Sequence, residues 1–155
     1  MTLQIREAQT QDAPAIAAIV RELGWFAHIN AEPLESTVAR ITSHLALCNA
    51  DDSHSVYVAE LEGVVRGYAA VHWCPYLLFT GPEGYVSELF VADEAREQGI
   101  GTKLLDTIEQ EARSRGCSRL GLLNLRSRES YKRDFYRKHG WVEREEVANF
   151  ILKLL

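Results

Sequence analysis

Cysteine is scarce in this 155-residue chain: three, at 48, 74 and 117, with neither Cys-x-x-Cys nor finger-like spacing. An odd and scattered set excludes a disulfide framework or a structural zinc as the organising device and leaves buried thiols. Proline is also sparse, at four residues, and the composition is not that of a disordered chain. Long apolar runs are missing. The longest, Trp73-Cys-Pro-Tyr-Leu-Leu-Phe79, falls far short of the roughly 20 residues that a bilayer span needs, so no membrane partner is expected. The amino terminus has no charged segment followed by an apolar stretch and cleavage site, which makes a cytoplasmic location the expectation. Positive charge is in deficit, the formal net charge being −5, and this argues against nucleic acid as a partner. A local basic cluster, Arg126-Ser-Arg128 with Lys132-Arg133, is either the side of an anion groove or a solvated helix face. The five histidines form no ligand pattern, so no metal is expected. What is present is 46% apolar and 25% charged residues without repeats or linkers, in a length usual for one domain spanning 1–155.

Periodicity assigns the elements. Leu3 to Glu7 alternates as a short strand, and Thr10-x-Asp12 with Pro14 opens a helix whose apolar face is Ile16, Ile19, Val20 and Leu23 and which ends at Gly24. An aromatic loop, Trp25 to Asn30, leads to a second helical stripe at Leu34, Val38, Ile41 and Leu45. Ser55–Glu60 and Val64–Trp73 read as a hairpin across Glu62-Gly63, and Tyr85–Val91 as a central strand with one anomalous charge, Glu88. Ile100, Leu104, Leu105, Ile108 and Ala112 line one face of a helix over 99–115. A strand over 120–125, a helix over 129–139 and two strands within 141–154 complete the expected order β-αα-βββ-α-β-α-ββ.

The most informative stretch is Glu88-Leu-Phe-Val-Ala-Asp-Glu-Ala-Arg96-Glu-Gln-Gly99-Ile-Gly101-Thr102, a strand, a glycine-bearing turn and a helix start in succession. Such a turn binds anions: the glycines allow close backbone approach, Arg96 offers a charge-assisted contact, and first-turn amides point along the helix dipole. The spacing is that of neither a P-loop nor a dinucleotide fingerprint. Arg96-x-x-Gly99-x-Gly101 resembles instead the acetyl-coenzyme A motif of the general N-acetyltransferase (GNAT) superfamily, Arg/Gln-x-x-Gly-x-Gly/Ala. Phe135-Tyr136-Arg-Lys-His-Gly140-Trp141 is similar to the family's Phe-Tyr-x-x-x-Gly-Phe segment. Two motifs in the right order carry the resemblance over residues 85 to 145. Glu97 departs from the glycine often found after the arginine, and Trp141 from the usual phenylalanine.

The resemblance implies an α/β three-layer fold, with a mixed central sheet of about seven strands flanked by four helices. It implies transfer of an acetyl group from acetyl-CoA directly to a primary amine. A small-molecule amine is the leading acceptor; a peptide or protein amino terminus, or a non-catalytic acyl-CoA sensor, are the alternatives. The cofactor-binding residues it implies are Phe90 and Val91 through their backbone, Arg96, Gln98, Gly99, Ile100, Gly101 and Thr102 around the pyrophosphate, and Asn124 at the pantetheine arm. Glu88 stands where relatives place an acidic base; in an apolar strand, desolvation favours its protonated form and thus its basicity. It acts through water, binds the cationic amine, or simply faces a solvated sheet surface. Tyr136, a neutral donor, is the candidate acid for the departing thiolate, against a core tyrosine as the plain reading. Trp25, Phe26, His28 and Trp73, with Tyr76 and Phe79, are candidates for the acceptor walls, packing being the alternative for each. His72 and His28 are the minor candidates for base. The apolar segment 73–79 and the terminal strand suggest a homodimer.

Overall fold

A computed structural model describes residues 2–155. Its chain divides into two compact units, one ending at Leu122 and one running Leu123–Leu155.

The first unit begins with β1 (Leu3–Glu7), whose Arg6 reaches over a short helical turn at Thr10–Asp12. Arg6 Nη1 and Nη2 each donate to an Asp12 carboxylate oxygen at 2.8 Å, and Arg6 Nη2 also donates to Glu60 Oε1 at 2.7 Å. The guanidinium holds the Asp12 carboxyl below its ordinary range, and Asp12 Oδ2 also accepts the Gln9 amide. The turn feeds α1 (Ala13–Leu23), which buries Ile16, Ile19 and Val20 and stops at Gly24 in a left-handed conformation. A short helix, α2 (Ala27–Ala31), forms within the expected loop because Arg21 Nη1 donates to the carbonyls of Ile29 and Glu32, satisfying groups at its end. α3 (Leu34–Asn49) follows.

β2 (His54–Leu61), β3 (Val64–Cys74), β4 (Glu83–Val91) and β5 (Arg119–Leu122) join β1 in one sheet, ordered β1-β2-β3-β4-β5. All neighbours are antiparallel except β4 and β5, so the sheet is mixed. The β2–β3 hairpin turns at Glu62 and Gly63, both with positive φ, as a two-residue turn requires. Tyr68, Ala70 and His72 of β3 face α1 and α3, whereas Gly67 and Trp73, of opposite parity, face α4 (Ile100–Ser114). Ile100, Leu104, Leu105, Ile108 and Ala112 of α4 are all buried, the stripe anticipated from their spacing.

In the second unit, α5 (Glu129–Lys132) and α6 (Phe135–Lys138) replace the single helix expected over 129–139, because Asp134 takes a left-handed φ of 57° between them. Glu143 gathers this unit, accepting from Arg126, the Tyr131 hydroxyl and Arg137. The expected strand over 120–125 is confined to 119–122, and the two strands expected within 141–154 do not form. The described residues thus contain five strands and six α-helices rather than about seven and four. Val142, Phe150, Ile151, Leu152 and Leu154 are apolar enough to suggest strands, yet each is exposed. Extended sequence becomes a strand only when a ladder satisfies its backbone. Among the described residues no helix is long and apolar enough to cross a membrane.

Gly84 sits where β4 passes Trp73. A Cβ there would lie 2.5 Å from Leu120 Cδ2 and 2.7 Å from the Trp73 ring, which is fixed by its bond to Ser55 Oγ and by Arg115 stacked at 4.7 Å. Gly84→Ala is expected to lower stability by about 1–3 kcal/mol in urea unfolding; an unchanged midpoint would show that Trp73 yields freely.

Candidate active site

A bulge in β4 places Glu88. His72 pairs with Tyr85 and Val71 with Val86, but Ala70 pairs with Glu88, leaving Ser87 as the extra residue. On a regular strand Tyr85 and Glu88, three positions apart, would point to opposite faces; the inserted residue returns Glu88 to the face of Ala70 and His72. The carboxylate is exposed there and Glu88 Oε1 accepts a 2.8 Å hydrogen bond from the Tyr68 hydroxyl. Burial pushes that hydroxyl well above its ordinary value, so Tyr68 remains a donor.

Glu88 and Tyr68 line a cavity of about 450 Å³ walled by α1 and α3 and floored by β2 and β3. Three histidines, His44, His54 and His72, also reach it. The His54 and His72 rings meet edge to face at 4.7 Å, and His72 Nε2 lies 2.9 Å from Ser87 Oγ. Burial first, and His54 second, hold His72 below its ordinary pKa, favouring neutral imidazole.

Aromatic residues gather beside this cavity. Phe90 packs against Trp25 at 5.7 Å, Phe26 at 5.9 Å and Tyr68 at 5.7 Å. The structure thereby brings Trp25 and Phe26 close to Tyr68, the partner of Glu88. It does not bring His28 or Trp73 to the cavity: His28 is exposed on α2, and Trp73 is buried against Arg115 on the other face.

At the far end of β4 the ladder to β5 stops at Val86–Leu122, while β4 continues to Val91. Phe90 and Val91 therefore pair with β3 on one side only, the side towards β5 having no strand partner among the described residues. Beyond a turn at Asp93–Ala95, Arg96 pairs with Asp93 at 2.8 Å and Gln98 Nε2 contacts the Glu94 carbonyl at 3.4 Å. Gly99, with φ 78°, opens α4, and a Cβ added there would meet nothing within 4 Å. Ile100, Gly101 and Thr102 form the first turn of a 15-residue helix, whose positive end faces this open space. A glycine turn, a helix amino terminus and an unpaired strand edge fit a ligand carrying both phosphates and amides.

In the second unit, the Tyr136 ring lies between Phe135, at 5.0 Å, and Trp141, at 5.9 Å. Burial pushes its hydroxyl up to about 12, so it keeps its proton throughout the neutral range. Asn124 falls past the end of β5 and donates to Ser130 Oγ at 3.0 Å.

The model of the acetyltransferase (GNAT) family matches residues 17–141. The chain belongs to this family. It is an acetyltransferase that uses acetyl-CoA. Thialysine N-epsilon-acetyltransferase of Mus musculus is 28% identical over 158 residues, covering 90% of this chain and 89% of the relative. Among solved structures, a transcriptional regulator from Bacillus halodurans C-125 superposes with a TM-score of 0.83 at 22% identity, covering 97% of this chain and 100% of the other. An aminoglycoside acetyltransferase from an uncultured soil metagenomic sample gives 0.77 at 22% identity, covering 99% and 97%. At that identity the two structures establish the shared fold.

The cavity contains residues that sequence reading missed: Tyr68, His44 and His54. Tyr68-x-Ala70-x-His72 alternates on β3 and held a signal, but its register against Glu88 depends on the bulge. Glu97, standing where relatives often have glycine, adopts a left-handed φ of 62°. That conformation costs a non-glycine residue about 1–2 kcal/mol. Glu97→Gly is expected to raise stability by relieving this cost and to tighten coenzyme A binding roughly threefold by removing a negative charge beside the turn. Calorimetric titration, with Glu97→Gln to isolate the charge, checks it; unchanged or weaker binding would refute it.

Proposed function

We propose that this acetyltransferase acts on the primary amine of a small molecule, with Glu88 on the acceptor side and Tyr136 as the proton donor. The observation that carries the reading is the bulge-placed Glu88, held by Tyr68 at the edge of a partly open cavity. A cavity of this size accommodates a small ligand. The names of the mouse relative and the soil protein, a thialysine and an aminoglycoside acetyltransferase, support an amine as acceptor. The family match across residues 17–141 supports treating 1–155 as one acetyltransferase domain.

Acetyl-CoA, when bound, supplies an activated acetyl thioester. Arg96, Gln98, Gly99, Ile100, Gly101 and Thr102 would hold its pyrophosphate, with the backbone of Phe90 and Val91 and the amide of Asn124 along the pantetheine arm. Glu88 attracts the acceptor's ammonium and orients it; its carboxylate, directly or through water, takes up the proton that must leave before nitrogen has a lone pair. The amine gains an acyl bond as the carbon–sulfur bond breaks, and Tyr136 donates its hydroxyl proton to the sulfur that departs. Exposed Leu77 and Leu78 support self-association as a homodimer.

Tyr136→Phe is expected to lower kcat roughly 100-fold while leaving coenzyme A affinity unchanged. Undiminished turnover would remove the donor role. Glu88→Gln should raise the KM for the amine roughly tenfold, through loss of a charge-assisted contact, without weakening cofactor binding. Amine saturation identical to that of the parent enzyme would reduce Glu88 to a structural partner of Tyr68.

A further inference from the structure

The cavity beside Glu88 has one charged pole and an apolar body. Ile16 and Val20 of α1, Ile41 and Leu45 of α3 and Val56 of β2 form its walls, with Glu88 at one position on the lining. The other charged group on the lining, Arg40, is already paired with Glu32. Glu32 in turn accepts from the Thr37 hydroxyl, so Arg40 is engaged in an internal network. His72 favours its neutral form through burial. A ligand entering here meets one carboxylate suited to an ammonium, the imidazoles of His44, His54 and His72, and walls that are otherwise mostly apolar.

We infer that the acceptor is an amine on an apolar body, an alkyl or arylalkyl monoamine, rather than a polyamine or amino sugar. This deepens the proposed acetyl transfer and rests on it. The volume equals that of roughly 15 liquid waters, enough for an amine of about a dozen non-hydrogen atoms. An alkyl chain on these walls exchanges water contact for apolar contact and gains affinity with each methylene. A second ammonium loses hydration there without finding a second carboxylate, and several hydroxyls lose more water contacts than the three imidazoles can replace.

The test is a homologous series. Unbranched monoamines from propylamine to octylamine, close in basicity, are compared with diamines of the same lengths and with ethanolamine, by thiol release from acetyl-CoA and by calorimetric binding. The expected result is a kcat/KM rising roughly three- to fourfold per methylene until the cavity fills. Diamines of equal length should fall at least tenfold below their monoamines. Leu47→Glu, at an exposed lining position that the fold tolerates, is expected to narrow that gap by giving a second ammonium a partner. A flat dependence on length, or preference for diamines or ethanolamine, would overturn the inference while leaving amine acetylation intact. Length-dependent binding with no amine-dependent thiol release would uphold the apolar amine site and reject the acetyl-transfer reading.

Discussion

The bulge at Ser87 is the constraint on which the placement of Glu88 in the cavity depends. Without it, a strand that pairs correctly with β3 at Tyr85 would send Glu88 towards α4, into the closely packed layer of Ile100 and Leu104. A carboxylate there would be desolvated without a partner. One inserted residue instead directs it to the cavity face, beside the Tyr68 hydroxyl, and leaves the ladder intact on both sides. The local disruption is small; its effect is to move one charge from one side of the sheet to the other.

β4 thereby links two different chemistries. Near its middle the bulge presents a carboxylate beneath α1 and α3; at its end the loss of pairing with β5 and the turn into α4 leave backbone polar groups free on that edge. The strand is fixed by its long ladder to β3 and by the close passage of Gly84 over Trp73, so the two sites stand on one rigid element. The Arg6, Asp12 and Glu60 cluster holds the start of α1 to β1 and β2, and α1 supplies a cavity wall. Charge pairing distant from Glu88 in sequence thus helps shape the space in front of it.

Legibility in the sequence differed between these regions. The turn from Arg96 to Thr102 could be recognised because its parts are contiguous: the glycine spacing, the arginine and the helix stripe after it are local properties. The stripe on α4 and the β2–β3 hairpin were readable for the same reason. Glu88 stood out as a charge in an apolar strand, but its orientation did not, since parity counted along β4 gives the wrong face once a residue is inserted. Tyr68 and His54 escaped notice because their significance lies in cross-strand neighbours. Trp73 illustrates the converse: an aromatic residue close in sequence to the apolar segment 76–79 is drawn to the opposite layer by the stacked Arg115.

Periodicity, glycine placement and the two motifs by themselves determined the family, the mixed α/β class and the glycine turn into α4, because each depends on residues within about one element of one another. Tertiary structure alone decided the face to which Glu88 points, its bond to Tyr68 and the mostly apolar walls from α1 and α3. It also decided that residues 141–154 do not join the sheet, despite their apolar side chains. These outcomes depend on register and packing partners far away in the chain, and a strand's alternation specifies two faces without specifying which element will cover each one.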